Sequence, residues 1–370
     1  ENMRLSLKLK LVLSSVLLIL ITILVLGGFS YQTLDKQAWS AIESESQNTA
    51  KAYSQGIGDW FHDRQNSVSA TVNAIKRDSQ LDIVGHLKQT LVSGGFGLSY
   101  YGTKEGVMHR HDPSLNRAGY DPRVRGWYKE ASAARKQITT KPYVSHTMQT
   151  LVVTLAEPVY SQGKMLGVVG SNLALGQLME DVLDITVPGK GYAMLLDTKN
   201  NLVVAHPNQD LELKPITELG QGFNEQNLEQ AMSSRSLFFT NMDDREKAVA
   251  VSAIPNTTWA IALVMDKATL VSPLNSMLLK LALFGLLIMA FVSAFTAWLV
   301  SHLFKGLNNV SAALSDIANG EGDLTVRINM QSDDEVGKLA DNFNQFVGRL
   351  HTMAVNLRDI TLQLNHSAAD

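Results

Sequence analysis

The 370-residue sequence contains no cysteine, which excludes a disulfide framework, thiolate metal ligands and a cysteine nucleophile. It also lacks an excess of either charge. The 32 lysines and arginines against 35 aspartates and glutamates leave a net charge of -3, which gives no indication of a nucleic-acid partner. The sequence shows no pattern typical of a catalytic triad, a phosphate-binding glycine loop or the paired carboxylates of a hydrolase. The length predicts two or more domains.

Charged residues are nearly absent from two long apolar stretches. Residues 11–34 include no aspartate, glutamate, lysine, arginine or histidine, and residues 281–304 include His302 as their one titratable side chain. Each stretch reaches the length of about 20 residues that a helix needs to cross a bilayer. A cleaved signal peptide is the alternative for the first stretch, but its apolar segment is long and it lacks a convincing cleavage site of small residues. We therefore predict two membrane-spanning helices.

The charges beside these stretches predict their orientation. Arg4, Lys8 and Lys10 precede the first stretch, and Asp35 is the first charged residue after it. Lys305 follows the second stretch, although a lysine also lies at its other end. Because basic residues concentrate on the cytoplasmic side, we expect both termini in the cytoplasm and the large central region in the periplasm of a bacterial inner membrane.

Two helical patterns follow the second stretch, separated by a glycine-containing connector. The second pattern repeats over four heptads in alternating steps of three and four, which predicts a parallel coiled coil and hence a homodimer. Its apolar positions are Val336, Leu339, Phe343, Phe346, Leu350, Met353, Leu357, Ile360 and Leu364.

This helix–connector–helix arrangement resembles a HAMP domain, on the residues NGEGDLTVRI at 319–328 and DDEVG at 333–337. The resemblance implies that Glu335 and Gly337 lie where the connector meets the second helix. It also implies a relay through a two-state helical bundle, without catalysis. Gly306 stands where the family usually has a proline, and an ordinary dimeric coiled coil is the alternative. The heptads continue to Asp370, so we expect an output module beyond it.

The central region predicts an α+β fold. Apolar residues at helical spacing from Tyr53 to Ile75 predict a long first helix. Two sets of short strands follow, divided near residues 187–189, and each set ends on a hairpin. The predicted strands are 95–101, 151–160, 165–173, 193–197, 202–206, 237–240, 248–254 and 259–265.

This layout resembles the double Cache sensor fold of bacterial chemoreceptors and sensor kinases, and the segment YDPRVRGWY at 120–128 carries the resemblance. In the amino-acid-binding members, the residues at the matching positions surround the ligand. The resemblance implies this role here for Tyr120, Arg125, Trp127 and Tyr128. A guanidinium can pair with both oxygens of a carboxylate or sulfonate, and aromatic rings can exclude water and face an ammonium group. Core aromatics and a structural arginine are the alternative interpretation.

Two positions depart from the amino-acid-binding pattern. Asn172 stands where the family supplies an aspartate for the amino group of the ligand, and Ser145 stands where a carboxylate is frequent. An asparagine does not neutralise an ammonium group, so taurine-like zwitterions or anionic carboxylates are also open. The candidate ligand-binding residues are Tyr120, Arg125, Trp127, Tyr128, Tyr143, Ser145 and Asn172.

Two further groups of polar residues are candidate sites. His109, His111 and Asp112 could ligate zinc, but such a short loop cluster more often faces solvent, and we predict no metal or cofactor. Asp197 and His206 could line a second pocket in the second set of strands, although structural roles fit them better.

Together these features predict the input half of a methyl-accepting chemotaxis receptor, which is not an enzyme. Its expected partners are a small amino-acid-like ligand, membrane lipid, a second copy of the chain, and a cytoplasmic kinase and adaptor. A sensor histidine kinase or diguanylate cyclase with the same input half is the alternative, and a tethered hydrolase is a third. The expected segments are 1–10 cytoplasmic, 11–31 first span, 32–79 long helix, 80–187 membrane-distal module, 188–275 membrane-proximal module, 281–304 second span, 305–360 HAMP domain and 361–370 start of a signalling helix.

Overall fold

The computed structural model describes residues 6–78, 82–319, 324–325, 327–329 and 335–367. The chain forms two compact units, Leu34–Asn275 and a second that combines Glu1–Thr33 with Ser276–Asp370. The helices are α1 (Leu7–Arg77), α2 (Ile83–Gly94), α3 (Gly126–Ala134), α4 (Gly176–Leu183), α5 (Glu225–Ser234), α6 (Lys267–Asn319) and α7 (Glu335–Ser367). The strands are β1 (Leu98–Thr103), β2 (Met108–Arg110), β3 (Ile138–Thr139), β4 (Tyr143–Val144), β5 (Leu151–Ser161), β6 (Lys164–Ala174), β7 (Tyr192–Asp197), β8 (Leu202–Ala205), β9 (Phe238–Met242), β10 (Arg245–Ala253) and β11 (Trp259–Asp266).

The 34–275 unit contains two antiparallel sheets, which confirms the predicted α+β class. The first sheet has the order β2-β1-β6-β5-β3, with β4 also pairing with β5, and the second has the order β8-β7-β11-β10-β9. All eight predicted strands are present, with ends within three residues of the prediction. The short strands β2, β3 and β4 were not predicted, because two or three residues are too few to show an alternating pattern.

Helix α1 supplies the core between these sheets. Its buried apolar residues recur at helical spacing, and they belong to one cluster with buried residues of both sheets. Phe61 is fully buried and packs edge-to-face against Trp259 of β11, with ring centroids 5.2 Å apart. Burial of a side chain of this size stabilises the fold by roughly 1.5–3 kcal/mol. The buried residues of this stripe are Ala50, Ile57, Phe61, Val68, Val72 and Ile75.

The opposite faces of the sheets are covered by shorter helices. Leu228 and Ala231 of α5 pack on the second sheet. Trp127, Tyr128 and Ala131 of α3 pack on the first sheet, in a cluster that includes Leu98, Tyr100, Ala156 and Val168. Helix α3 therefore forms part of the wall around the polar residues of β1 and β6.

Two glycines permit close approaches in the first sheet. Gly170 of β6 pairs with Tyr100 of β1, and a Cβ atom at Gly170 would collide with the tyrosine ring, so the glycine lets that ring cross β6. Gly102 of β1 lies under Pro122, where a Cβ atom would collide with the proline ring. The second glycine thus allows the turn before α3 to pack against the sheet.

The second unit has a small core of its own. Val310 of α6 and Phe343 and Val347 of α7 are buried together, with Leu324 and Ile328 packed against them. The Asn344 side chain accepts a hydrogen bond from the backbone N–H of Ile328 and donates one to its carbonyl, both at 2.9 Å. This pair of bonds fastens the connector to α7.

Both residues predicted to mark the connector junction lie at the start of α7. Glu335 is the first residue of α7 and is exposed, and Gly337 is buried one residue before Lys338. Residues 320–323, 326 and 330–334 of the predicted connector lie outside the described residues, as do 1–5, 79–81 and 368–370. Five predicted coiled-coil positions of α7 are 41–60% exposed in the single chain: Leu339, Phe346, Met353, Leu357 and Ile360. The dimer stays a prediction.

Two helices are long and apolar enough to cross a membrane. They include the candidate spans Lys8–Arg77 and Lys267–Ala312, with windows of mean hydropathy 2.8 and 2.3. Both apolar stretches predicted from the sequence fall inside them, which supports a membrane receptor.

Candidate functional site

A cavity of about 650 Å³ opens beside the first sheet, between β1, β2, β6, the N-terminal turn of α3 and the segment after β3. This volume is within the range of small-molecule sites. We call it the first-sheet cavity. Its lining residues are Leu98, Tyr100, Met108, Arg110, Arg117, Ala118, Gly119, Tyr120, Arg125, Gly126, Trp127, Glu130, Thr140, Lys141, Tyr143, Ser145, His146, Thr147 and Asn172.

Six of the seven residues that the sequence predicts for the ligand line this cavity: Tyr120, Arg125, Trp127, Tyr143, Ser145 and Asn172. The seventh, Tyr128, lies in the hydrophobic cluster under α3 and is not among the lining residues. The Tyr128 hydroxyl donates to the carbonyl of Thr103 at 3.4 Å, and burial raises the pKa of its phenol. Tyr128 therefore supports the wall through its edge-to-face contact with Trp127, which lines the cavity.

The turn before α3 positions Arg125 at the cavity. The Asp121 carboxylate accepts from the backbone N–H of Arg123 at 2.9 Å and closes the single helical turn Pro122–Val124. The same carboxylate forms an ion pair with the Arg123 guanidinium at 2.8 Å, and the hydrogen bond from that guanidinium lowers the pKa of Asp121. Arg125 then follows as the residue that precedes α3. Thus one arginine of this segment is ion-paired, and the next one lines the cavity.

Two guanidinium groups contact the ring of Tyr120. The Cζ atoms of Arg110 and Arg125 lie 4.7 and 4.6 Å from the ring centroid, which is cation–π distance. Arg110 is only 5% exposed, and its Nη1 donates to the carbonyl of Leu115 at 2.7 Å and to Oδ1 of Asn116 at 3.4 Å. These hydrogen bonds hold the buried Arg110 in place. The Tyr120 ring contacts the guanidinium groups of both arginines.

A network of hydroxyl groups surrounds Asn172 at the floor of the cavity. Its Oδ1 accepts from the Tyr100 hydroxyl at 2.6 Å and from Thr154 Oγ1 at 2.9 Å, and the Tyr143 hydroxyl is 3.5 Å away. Because Thr154 uses its single hydroxyl proton on Asn172, the Tyr143 hydroxyl donates to Thr154 Oγ1 at 2.8 Å. Burial is the main cause that raises the pKa of both tyrosines, so both remain protonated donors at neutral pH.

Ser145 closes the turn between β4 and β5. Its Oγ accepts from the backbone N–H of Met148 at 3.2 Å, and its own N–H donates to the carbonyl of Thr150 at 2.9 Å. The Nδ2 atom of Asn172 lies 3.5 Å from the same Oγ, which is the long limit for a hydrogen bond. Within the described part of the chain, the Asn172 amide nitrogen has no closer acceptor.

The charge around the cavity is strongly unbalanced. Four cationic side chains line it (Arg110, Arg117, Arg125 and Lys141) against one carboxylate, Glu130, an excess of three positive charges. Among the described residues, none of these four cations forms an ion pair with a carboxylate within 4.0 Å. The cavity is therefore a site of positive potential that attracts anions.

The sequence did not predict Arg110, Tyr100, Lys141 or Glu130 as lining residues. A signal for Arg110 was present in the sequence. Arg110 is the last residue of β2 and lies between His109 and His111, and alternate residues of a strand point to opposite faces. The neighbouring His109 stacks on Tyr101, with ring centroids 6.2 Å apart, and burial lowers its pKa. No group of three metal-binding side chains is assembled among the described residues.

Asp197 and His206 make structural contacts in the second sheet. The fully buried Asp197 carboxylate accepts from the backbone and side chain of Asn200 at 3.2 and 2.7 Å and from Thr258 Oγ1 at 2.9 Å. His206 packs edge-to-face against Tyr192, and burial lowers the pKa of the imidazole. The Asp197 contacts stabilise the turn after β7, and the His206 contacts stabilise the segment after β8.

Comparison with known proteins places the chain in a family. The family model for the Cache domain (dCache_1) matches residues 31–274, and the model for the HAMP domain matches residues 298–352. Methyl-accepting chemotaxis protein PscA of Pseudomonas syringae pv. tomato is 30% identical over 325 residues, which are 85% of this chain and 49% of that protein. Methyl-accepting chemotaxis protein PctB of Pseudomonas aeruginosa is 28% identical over 84% of this chain and 49% of its own length. The chain thus spans about half the length of these curated relatives.

Solved structures share the fold of the 34–275 unit. The ligand-binding domain of the amino-acid chemoreceptor PctC of P. aeruginosa PAO1, in complex with GABA, matches with a TM-score of 0.53 and 26% identity over 60% of this chain and 99% of that one. The corresponding domain of PctB with L-Arg matches with a TM-score of 0.54 and 22% identity over 63% of this chain and 98% of that one, and so supports the fold alone. Because the Cache model covers well over half of the sequence, the chain belongs to the Cache domain family, with a HAMP domain after its second apolar stretch.

Proposed function

We propose that this chain is the input half of a transmembrane chemoreceptor of the methyl-accepting type, a receptor and not an enzyme. It binds a small amino-acid-like ligand in the first-sheet cavity and passes the signal through the second span and the HAMP domain to a cytoplasmic signalling domain. The curated relatives that match over most of the chain are methyl-accepting chemotaxis proteins, which favours this function over a kinase or cyclase.

The observation that carries the proposal is the composition of the first-sheet cavity. Arg125, Tyr120 and Trp127 all line it, so a forked guanidinium and two aromatic rings meet at one cavity. This combination binds the acid group of a small ligand and excludes water from it. The PctC domain, which has the same fold at 26% identity, contains GABA, an acid of the size that we propose for this chain.

We also propose the topology and partners that the sequence predicted. The 35–275 region is periplasmic in a bacterial inner membrane, residues 11–31 and 281–304 are the spans, and both termini are cytoplasmic. The Cache region comprises a long helix at 32–79, a membrane-distal module at 80–187 and a membrane-proximal module at 188–275. The cytoplasmic kinase and adaptor act through a signalling domain outside this sequence.

The first turn of α6 offers a route from the second sheet to the second span. Asp266, the last residue of β11, accepts from the backbone N–H and the hydroxyl of Thr269 at 2.9 Å each. Lys247 of β10 donates to the same carboxylate at 3.2 Å. We propose that a ligand with higher affinity for one conformation of the sensor displaces α6 through these contacts, because a ligand shifts an equilibrium only by its differential affinity.

The HAMP part of the proposal concerns a homodimer. Leu339, Phe346 and Met353 expose apolar side chains along α7 at steps of seven residues. A second copy that packs on this stripe would bury it in a parallel coiled coil. Glu335 and Gly337 then act where the connector meets α7, as the family resemblance implies.

A ligand screen and a hybrid receptor test this function. Thermal shift and calorimetry on the detergent-purified 370-residue chain, with amino acids, taurine, amines and carboxylates, should identify small acids that bind. Residues 1–352 joined to the cytoplasmic part of PctB should then change kinase activity in cells when the same compound is added. Failure of every acid and amine to bind would contradict the ligand class, and binding without any change of kinase activity would contradict the relay.

A further inference from the structure

The charge and hydrogen-bond pattern of the first-sheet cavity indicates which small acids it selects. We propose that the ligand carries a net negative charge and presents a hydrogen-bond acceptor, instead of an ammonium group, to Asn172. Hydroxy acids, keto acids and dicarboxylates have this chemistry, whereas net-neutral amino acids do not. The inference rests on the proposed function, because it specifies the small acid that the receptor binds.

The first argument is the buried arginine without an anionic partner. Arg110 is 5% exposed, and its Nη1 donates to two neutral acceptors, the Leu115 carbonyl and the Asn116 side chain. A buried charge is unfavourable unless an opposite charge compensates it, and no described carboxylate lies within 4.0 Å. Arg117, Arg125 and Lys141 add three more cations to the same cavity. A net-anionic ligand compensates more of this charge than a zwitterion.

The second argument is the orientation of the Asn172 amide. The 2.6 Å distance from the Tyr100 hydroxyl is typical of O–H···O bonds and too short for most N–H···O bonds, which assigns the contacting atom as the amide oxygen. Thr154 also donates to that oxygen, so both of its lone pairs are in use. The amide nitrogen, with the Ser145 oxygen 3.5 Å away, keeps a donor for the ligand.

An ammonium group is a poor partner for this floor. It carries three donors and no acceptor, so it cannot receive the N–H of Asn172. The phenol oxygens of Tyr100 and Tyr143 can accept, but they are neutral and leave the positive charge of an ammonium uncompensated beside four cations. A hydroxyl, keto or carboxylate oxygen at the same place accepts the amide N–H directly.

Glu130 is the group that could reverse this preference. It is the one carboxylate among the lining residues, it is exposed, and it lies on the first turns of α3 beside Gly126. If a ligand ammonium binds there, the excess of positive charge elsewhere would not prevent zwitterion binding. The experiment therefore includes the Glu130→Gln variant.

Matched ligand pairs test the proposal by calorimetry on the detergent-purified chain. The pairs are L-alanine and L-lactate, L-aspartate and L-malate, GABA and 4-hydroxybutyrate, and taurine and isethionate. Each pair replaces an ammonium group by a hydroxyl and makes the ligand more negative by one charge. We expect the hydroxyl member to bind about two- to tenfold more tightly in every pair that binds, as for one hydrogen bond between neutral groups.

The Asn172→Asp variant should reverse this order, because a carboxylate at the floor accepts from an ammonium and repels an anion. Tyr100 and Thr154 can donate to the new carboxylate as they do to the amide, so the variant keeps the hydrogen bonds that stabilise the floor. The exposed Asn256, in the turn between β10 and β11, provides a matched control, and Asn256→Asp should leave all ligand affinities unchanged.

The outcomes separate this inference from the proposed function. Tighter binding of the ammonium members to the wild-type chain would overturn the inference and leave the receptor function intact, and loss of that binding in Glu130→Gln would identify the amine partner. An unchanged order of affinities in Asn172→Asp would remove Asn172 from the selection. If none of the eight compounds binds to either form, the anion preference is refuted, whereas the receptor function is decided by the wider ligand screen.

Discussion

Arg125 is the residue whose removal tests the site most directly. Replacement of Arg125 by alanine removes the guanidinium at the residue before α3 and leaves the hydrophobic cluster under that helix unchanged. We expect the variant to fold, because the contact of Arg125 with the Tyr120 ring is that of an exposed side chain and contributes about 0.5–1 kcal/mol. Its melting temperature without ligand should therefore stay close to that of the wild-type chain.

The effect on ligand affinity should be larger. A hydrogen bond to a charged group contributes about 1.5–3 kcal/mol, and a guanidinium fork that pairs with an acid group forms two such bonds. Because Arg125 is exposed in the ligand-free chain, solvent screening reduces this sum, and we expect a loss of about 2–3 kcal/mol. This corresponds to affinity reduced by about 30- to 150-fold, measured by calorimetry with the tightest compound of the ligand screen.

Two further variants make the measurement specific. Arg123→Ala removes a guanidinium two residues away that is paired with Asp121 and does not line the cavity, and should change ligand affinity by less than about twofold. Arg125→Lys keeps the charge without the planar fork, and its affinity should lie between those of the wild type and the alanine variant. Equal losses for Arg123→Ala and Arg125→Ala, or no loss for either, would refute the assignment of Arg125 as the acid-binding group.

Three other predictions concern stability and assembly. Hydrogen bonds from the N–H and hydroxyl of Thr269, with Lys247, lower the pKa of Asp266 to about 2. The ionised carboxylate therefore stabilises the fold above its unfolded pKa of about 3.9, and this stabilisation is lost as the pH falls from about 4 to 2. Asp266→Asn should flatten the fall in melting temperature across that pH range. Phe61→Ala should lower the free energy of unfolding by about 3–5 kcal/mol in thermal or denaturant unfolding, because it empties a fully buried site. Since the chain has no cysteine, Phe346→Cys on the exposed stripe of α7 should form a disulfide-linked dimer in membranes under mild oxidation. Asp341→Cys, on the polar side of α7, should form far less of this dimer. Equal cross-linking of the two variants would contradict the parallel coiled coil.

The sheets were predictable because their central strands carry long apolar or alternating runs. Strands β5, β6 and β11 have mostly buried residues along their length, so burial on both faces leaves a clear signal in the sequence. The short strands β3 and β4 depend on pairing with β5, and two residues cannot show a period. The order in which strands pair depends on the tertiary fold. The hairpin signals in the sequence predicted only which consecutive strands lie next to each other.

The candidate site was predictable to the extent that it follows one local segment. Tyr120, Arg125 and Trp127 are close in sequence, and the turn at Pro122 brings them to the cavity. Arg110 and Lys141 reach the same volume from β2 and from the segment between β3 and β4, so their convergence depends on sheet topology. The charge excess of the cavity is for that reason invisible in a chain whose overall charge is nearly balanced.

The meaning of Asn172 shows how a substitution depends on its neighbours. From sequence alone, an asparagine in place of a ligand-binding aspartate is a weaker acceptor that could still contact an ammonium group. In the structure, Tyr100 and Thr154 donate to its carbonyl, and this leaves the amide N–H as the group that the ligand meets. The same change therefore turns an acceptor into a donor, because hydroxyl groups from β1 and β5 already occupy the carbonyl oxygen of the amide. The proposed preference for anions thus depends on the hydroxyl groups of β1 and β5 together with Asn172 of β6, which pairs with both strands.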